Sequence, residues 1–129
     1  MAEPGQGYYP NQAPIDAYGN GGFRFAGMSH KGSLLCLPTG MHRWEVVDPA
    51  EITIDSLKPV FEAAADIDVL LVGLGKDIDG FDSSIREALR AERIIVEAIA
   101  TGGAVRTYNI LLGEGRAVGA ALIAVDVAR

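Results

Sequence analysis

Apolar residues gather along this chain in two rhythms, one suited to strands and one to helices. The densest stretch is VLLVGLG at residues 69–75, where branched aliphatics follow one another up to Gly73. An unbroken run of that kind predicts a strand covered on both faces, because a strand with one wet face would alternate. After it the chain turns over Gly73 and Gly75, crosses an acidic loop and enters a helix whose start is marked by Ser84 with Glu87 three positions on, a capping box. The apolar run at residues 94–96 then completes the outline of a βαβ unit.

The same rhythms place the remaining elements. Phe23 and Phe25 alternate with Arg24, the period of a half-exposed strand. Residues 29–32 read as a reversal, 33–37 as a second strand, 38–40 as a turn and 41–47 as a third strand, so the three form an antiparallel N-terminal layer. Asp55 or Ser56 caps a helix through residue 65, with Pro59 tolerated in its first turn and Leu57, Phe61, Ala64 and Ala65 facing inward. Thr101 is the expected N-cap of a third helix through Gly113, on which Val105, Tyr108, Leu111 and Leu112 share a face while Arg106 and Asn109 lie off it. Gly113 and Gly115 stop that helix, and residues 117–127 form a last apolar strand. Helices alternating with buried strands define the α/β class, here with a β-rich N-terminal attachment.

Composition refines this picture. A chain of 129 residues fits a single domain with its own core. Residues 1–13 offer little to bury and read as a disordered tail, leaving 14–129 as one α/β domain. The formal charge of −6 comes with no basic cluster, which removes the main driving force for nucleic-acid binding. No apolar run approaches the roughly 20 residues of a membrane-spanning helix, and the start of the chain shows neither a signal peptide nor an arginine-rich presequence. A lone cysteine, Cys36, fits a reducing compartment, and the expected location is cytoplasmic, in a bacterial-type cell.

Candidate chemistry is sparse. Gly73-Leu74-Gly75 begins like a dinucleotide fingerprint, but Ile78 stands where the third glycine belongs, and Asp77, Asp79 and Asp82 would repel a pyrophosphate. Lys76 lacks the preceding glycines of a phosphate loop. The three aspartates with Gly80 miss the calcium-loop spacing, which needs its glycine at position six and a glutamate at twelve. Cys36 with His30 and His42 carries no nucleophile signature, and a thiol between leucines is ordinarily a core side chain. These absences set the expectation of a protein without cofactor, metal or catalytic residues. TGGAVRTYNILLGEGR differs, because it concentrates hydrogen-bonding groups near a helix start. Gly73, Gly75, Lys76, Thr101, Arg106, Tyr108 and Asn109 are therefore the candidate lining of a small-molecule or anion pocket, set against a purely structural use of the same side chains.

PIDAYGNGGFRFAG, VLLVGLG, IVEAIATGGAVRTYNILLGEGR and VGAALIAV together resemble the family of the mitochondrial complex I assembly factor 3 and the vertebrate adipogenesis-associated protein, which has many bacterial and archaeal members of unknown function. The likeness runs from Pro14 to the C-terminus, with Arg106, Thr107, Tyr108, Asn109, Glu114, Gly115 and Arg116 at the family's motif positions. It implies a three-layer fold with a mixed central sheet and an attached β-hairpin layer, and no established catalytic residues. It also implies a protein partner, either respiratory-complex subunits or other assembly factors. Apolar residues on the first three strands additionally admit a homodimer.

Overall fold

A computed structural model describes residues 8–76 and 81–128. Among the described residues nine strands form two sheets. Strands β2 (Ala17–Gly19), β3 (Gly22–Phe25) and β4 (Met28–Lys31) make a small antiparallel sheet. The main sheet has six strands in the order β1-β6-β5-β9-β7-β8, with β1 at Tyr8–Tyr9, β5 at Ser33–Leu37, β6 at Gly40–Trp44, β7 at Val69–Gly73, β8 at Ile95–Ile99 and β9 at Val118–Leu122. It is mixed: β7 runs parallel to both β8 and β9, whereas β9 meets β5 antiparallel.

The aliphatic run at 69–75 behaves as its pattern requires. Leu70 and Val72 point into one core and Leu71 into another, and all three are fully buried. Covering a leucine in this way contributes about 1.5–3 kcal/mol. On one side of the sheet lie a short helical segment, with α1 at Lys58–Glu62, and α2 at Ser83–Ala91, which insert Leu57, Val60, Ile85 and Leu89. On the other side α3, Thr101–Gly113, packs Ala104, Val105 and Tyr108 together with Phe23 and Phe25 of the small sheet. The result is three layers, as the alternation of elements predicts.

Several local expectations are corrected. The predicted three-strand N-terminal layer splits, because all five residues of β5 are buried and can only sit inside the main sheet. A reversal is expected at residues 29–32, but Met28–Lys31 form β4, which pairs with β3 from Phe25↔Met28 to Gly22↔Lys31. The capping box lies elsewhere than at Ser84 and Glu87. Asp82 caps α2 by accepting from Ser84 N–H at 2.8 Å, and a reciprocal box forms at Asp48 and Glu51 instead. The helix expected through residue 65 is broken into 3-10, α and 3-10 turns, so that Val60 and Ala63 face inward while Ala65 is exposed. The predicted tail is too long. Tyr8 and Tyr9 pair with His42 and Met41, and residues 12–15 are fastened to the body, while residues 1–7 lie outside the described residues.

Candidate functional site

Parallel strands with crossovers on opposite faces create a point where a crevice opens between neighbours, and in α/β sheets ligands gather there. Here β7 exits to α2 on one face and the neighbouring β8 exits to α3 on the other, so the crevice belongs between the ends of β7 and β8, with β9 on the far side of β7. It is stitched shut, since Leu74 N–H donates to the Ile99 carbonyl at 2.8 Å. On the β9 side, Ile123 N–H donates to the Gly73 carbonyl at 2.9 Å, continuing the ladder beyond the strand ends. Thr101 Oγ1 accepts from Gly75 N–H at 2.9 Å and donates to the Ile123 carbonyl at 2.7 Å. Thr101 N–H in turn donates to the Gly75 carbonyl at 3.0 Å. Its side chain thus ties three elements and does not cap α3, whose N-cap is Ala100.

The glycines serve this closure. A Cβ on Gly73 would lie 2.9 Å from Thr101 Oγ1 and 3.0 Å from Thr101 Cα, so its absence lets the start of α3 approach the strand. Gly75 turns the chain with φ +80, a conformation that side chains resist.

The structure brings Gly73, Gly75 and Thr101 together, with exposed Lys76 beside them. Tyr108 and Asn109 turn toward residues 12–15, which run over the body as an N-terminal strap. Tyr108 Oη donates to the Ala13 carbonyl at 2.7 Å, and Asn109 grips Ile15 through both backbone groups, each at 2.8 Å. Gln12 completes the attachment by donating to the Val118 carbonyl at 2.7 Å. Arg106 sits on the exposed side of α3. The spacing of Ile15, Tyr18, Phe23 and Phe25 already suits a strap anchored to the body, but its partners Tyr108, Asn109 and Val118 lie 94 or more positions away, beyond any local periodicity. A depression of about 270 Å³ does open at the head of β7 and β9, lined by Gly75 and Lys76 together with Leu74, Ile123 and Asp126 among others.

Cys36 and the two histidines do not assemble. In the pairing of β5 with β6, Leu35 lies opposite His42 and Cys36 opposite Met41, so Cys36 and His42 project to opposite faces. Burial pushes the Cys36 thiol well above its ordinary range, only partly offset by the Tyr108 hydroxyl. Tyr108 is likewise raised, by burial first and the neighbouring Cys36 second. Burial also lowers His42. His30 Nε2 contacts the Ser33 carbonyl at 2.9 Å, the ordinary fastening of a turn. Asp77 and Asp79 of the acidic loop lie outside the described residues, and Asp82 is spent on its helix cap.

Two parallel crossovers around a self-sealed crevice, with an antiparallel sheet and strap folded over α3, define a compact three-layer α/β class of domain. Residues 15–123 match the family described as protein of unknown function DUF498/DUF598, and the chain belongs to that family. An uncharacterised protein of Rhodobacter capsulatus is 38% identical over 94% of this chain and 90% of its own length. The rat NADH dehydrogenase [ubiquinone] 1 alpha subcomplex assembly factor 3 is 33% identical over 92% of this chain, which spans 64% of the rat protein. Among solved structures, a Bartonella henselae protein described as an outer membrane protein superposes with a TM-score of 0.87 at 46% identity, covering 92% of this chain and 99% of that one. Among the described residues of the present chain, no helix is long and apolar enough to cross a membrane.

Proposed function

We propose that this chain is a non-enzymatic protein-interaction domain that serves the assembly of respiratory complex I, as a soluble cytoplasmic partner of respiratory subunits or of other assembly factors. The observation that carries the reading is the 33% identity with an assembly factor of that complex, spread over 92% of this chain. The geometry supports it. The crevice where such sheets hold cofactors is filled by Thr101, the buried thiol cannot ionise near neutral pH, and Tyr108 and Asn109 are spent on the strap. An assembly role also calls for a surface that later releases its partner, hence a modest and partly polar one. Affinity capture of the tagged chain from its own cells, read by mass spectrometry, tests the proposal. Enrichment of complex I subunits or insertion factors is expected, and their absence from the captured set overturns it.

A second reading, a small-molecule or anion-binding domain with or without activity, draws on the depression beside Gly75 and Lys76. A saturating ligand at about 100 times its Kd adds about 2.7 kcal/mol, so a thermal-shift screen of metabolites would reveal it. Loss of that shift in Lys76→Ala would locate the site, and a screen without hits would remove the reading.

A further inference from the structure

At the far end of the main sheet, β8 is the terminal strand and pairs in parallel with β7. Ile95 N–H donates to the Asp68 carbonyl, and the Ile99 carbonyl accepts from Leu74 N–H. In a parallel ladder alternate residues serve the same neighbour, so Ile95, Glu97 and Ile99 are spent inward while Val96 and Ala98 turn their backbone groups outward. One of these is already answered by a side chain. Arg86 Nη1 donates to the Val96 carbonyl at 2.8 Å, and its guanidinium stands 5.3 Å from the centre of the Phe81 ring.

Proteins usually blunt such an edge with charge, proline or a covering element. Here Ile95 is 67% exposed on the terminal strand. Beside it runs a groove of about 210 Å³ lined by Arg86, Arg90, Arg93, Ile94, Ile95 and Val96. Three cations thus flank a sheet edge in a chain of net charge −6, so the local sign opposes the global one. Arg90 has only a loose pair, 3.9 Å from Glu87 with both side chains largely exposed, which a better-placed carboxylate can displace. Val96 and Ala98 pack into the core under α2, so Glu97 projects with Ile95 to the opposite face, away from the α2 side of the strand.

We propose that the β8 edge docks an extended segment of a protein partner in which acidic and apolar residues alternate, added to the sheet as a further strand. Its main chain pairs with the Val96 N–H and with both backbone groups of Ala98, its carboxylates meet Arg86, Arg90 and Arg93, and its apolar residues cover Ile95. The inference rests on the reading of the chain as a partner-binding domain and gives that reading an address. Charge decides the occupant. Two β8 strands pairing antiparallel about a two-fold normal to the sheet would bring both arginine grooves to one face, where like charges oppose the contact.

The test titrates the isotopically labelled chain with a synthetic peptide of about ten residues alternating glutamate and valine, a length that spans the strand. Amide shifts centred on Val96 and Ala98 are expected, together with at least about tenfold weaker binding to the Arg90→Glu/Arg93→Glu double variant. Both side chains are exposed, so the variant retains its core. Shifts that map elsewhere overturn the proposal, as do equal binding of a lysine-valine peptide, undiminished binding by the double variant, or self-association through β8 without peptide binding. Capture from cells separates this inference from the one beneath it. Equal recovery of complex I subunits by wild type and double variant sinks the edge and leaves the assembly reading standing. Peptide binding with no respiratory protein captured does the reverse.

Discussion

Thr101 holds Gly75 by two hydrogen bonds, side chain to N–H at 2.9 Å and N–H to carbonyl at 3.0 Å, and so joins the start of α3 to the turn after β7. The hydroxyl is fully buried and also satisfies the Ile123 carbonyl. Thr101→Val preserves the shape but strands a buried donor and a buried acceptor, an expected loss of about 2–6 kcal/mol at roughly 1–3 for each group left unpaired. Thr101→Ser keeps the hydroxyl and should lose no more than about 1 kcal/mol, the value of a buried methyl. Urea denaturation followed by fluorescence reads both, since the only tryptophan, Trp44, is buried and hydrogen-bonded to the Ser56 carbonyl. Equal losses in the two variants would show that the hydroxyl is not the stitch.

The strap should detach by degrees. Asn109→Ala removes both bonds to Ile15, and Tyr108→Phe removes the bond to the Ala13 carbonyl. Each is expected to cost about 1–3 kcal/mol, and because both fasten one segment their effects should not add. Amide exchange at Ile15 and Asp16 should accelerate in each variant while β7 stays protected. Uniform acceleration across the sheet would contradict a local role.

Alkaline pH should destabilise the fold through Cys36 and Tyr108. Both are raised by burial, so their contribution is complete below the unfolded-state values, about 8.5 for the thiol and 10 for the phenol. Above about pH 8.5 the unfolded thiol releases its proton while the native one keeps it, so stability falls by up to about 1.4 kcal/mol per pH unit for that group. Cys36→Ala should remove the part of the decline that begins at the lower pH. An unchanged slope between about pH 8.5 and 10 would show that the thiol is not responsible. Thiol-labelling of the native chain should likewise wait on unfolding.

Arg93 sits at φ +65 just past the C-cap of α2, where Ile94 N–H reaches back to the Leu89 carbonyl. Glycine is the residue this left-handed position favours. Arg93→Gly is therefore expected to stabilise the fold by about 0.5–1 kcal/mol, read as a rise in the denaturation midpoint. A fall would mean that the arginine makes contacts worth more than its backbone strain.

What the linear order of residues determined is the set of features that rest on local repetition. The fully aliphatic stretch at Leu70–Val72 could only be an inner strand, the 3.6-residue spacing of Val105 and Tyr108 set the buried face of α3, and alternation of helix and strand set the α/β class. Tertiary structure decided what depends on neighbours remote in sequence. Which sheet β5 joins is settled by its pairing with β9, some 85 residues away, and Met28–Lys31 becomes a strand only because β3 lies beside it. The polar residues of α3 looked alike on paper; a hydroxyl at Thr101 and an amide at Asn109 acquired separate tasks once the ends of β7 and β9 and the N-terminal strap were folded against them. Side-chain spacing reports which face a residue occupies, but the group that faces it comes from another part of the chain, so only the folded molecule could separate a sealed crevice from an open one.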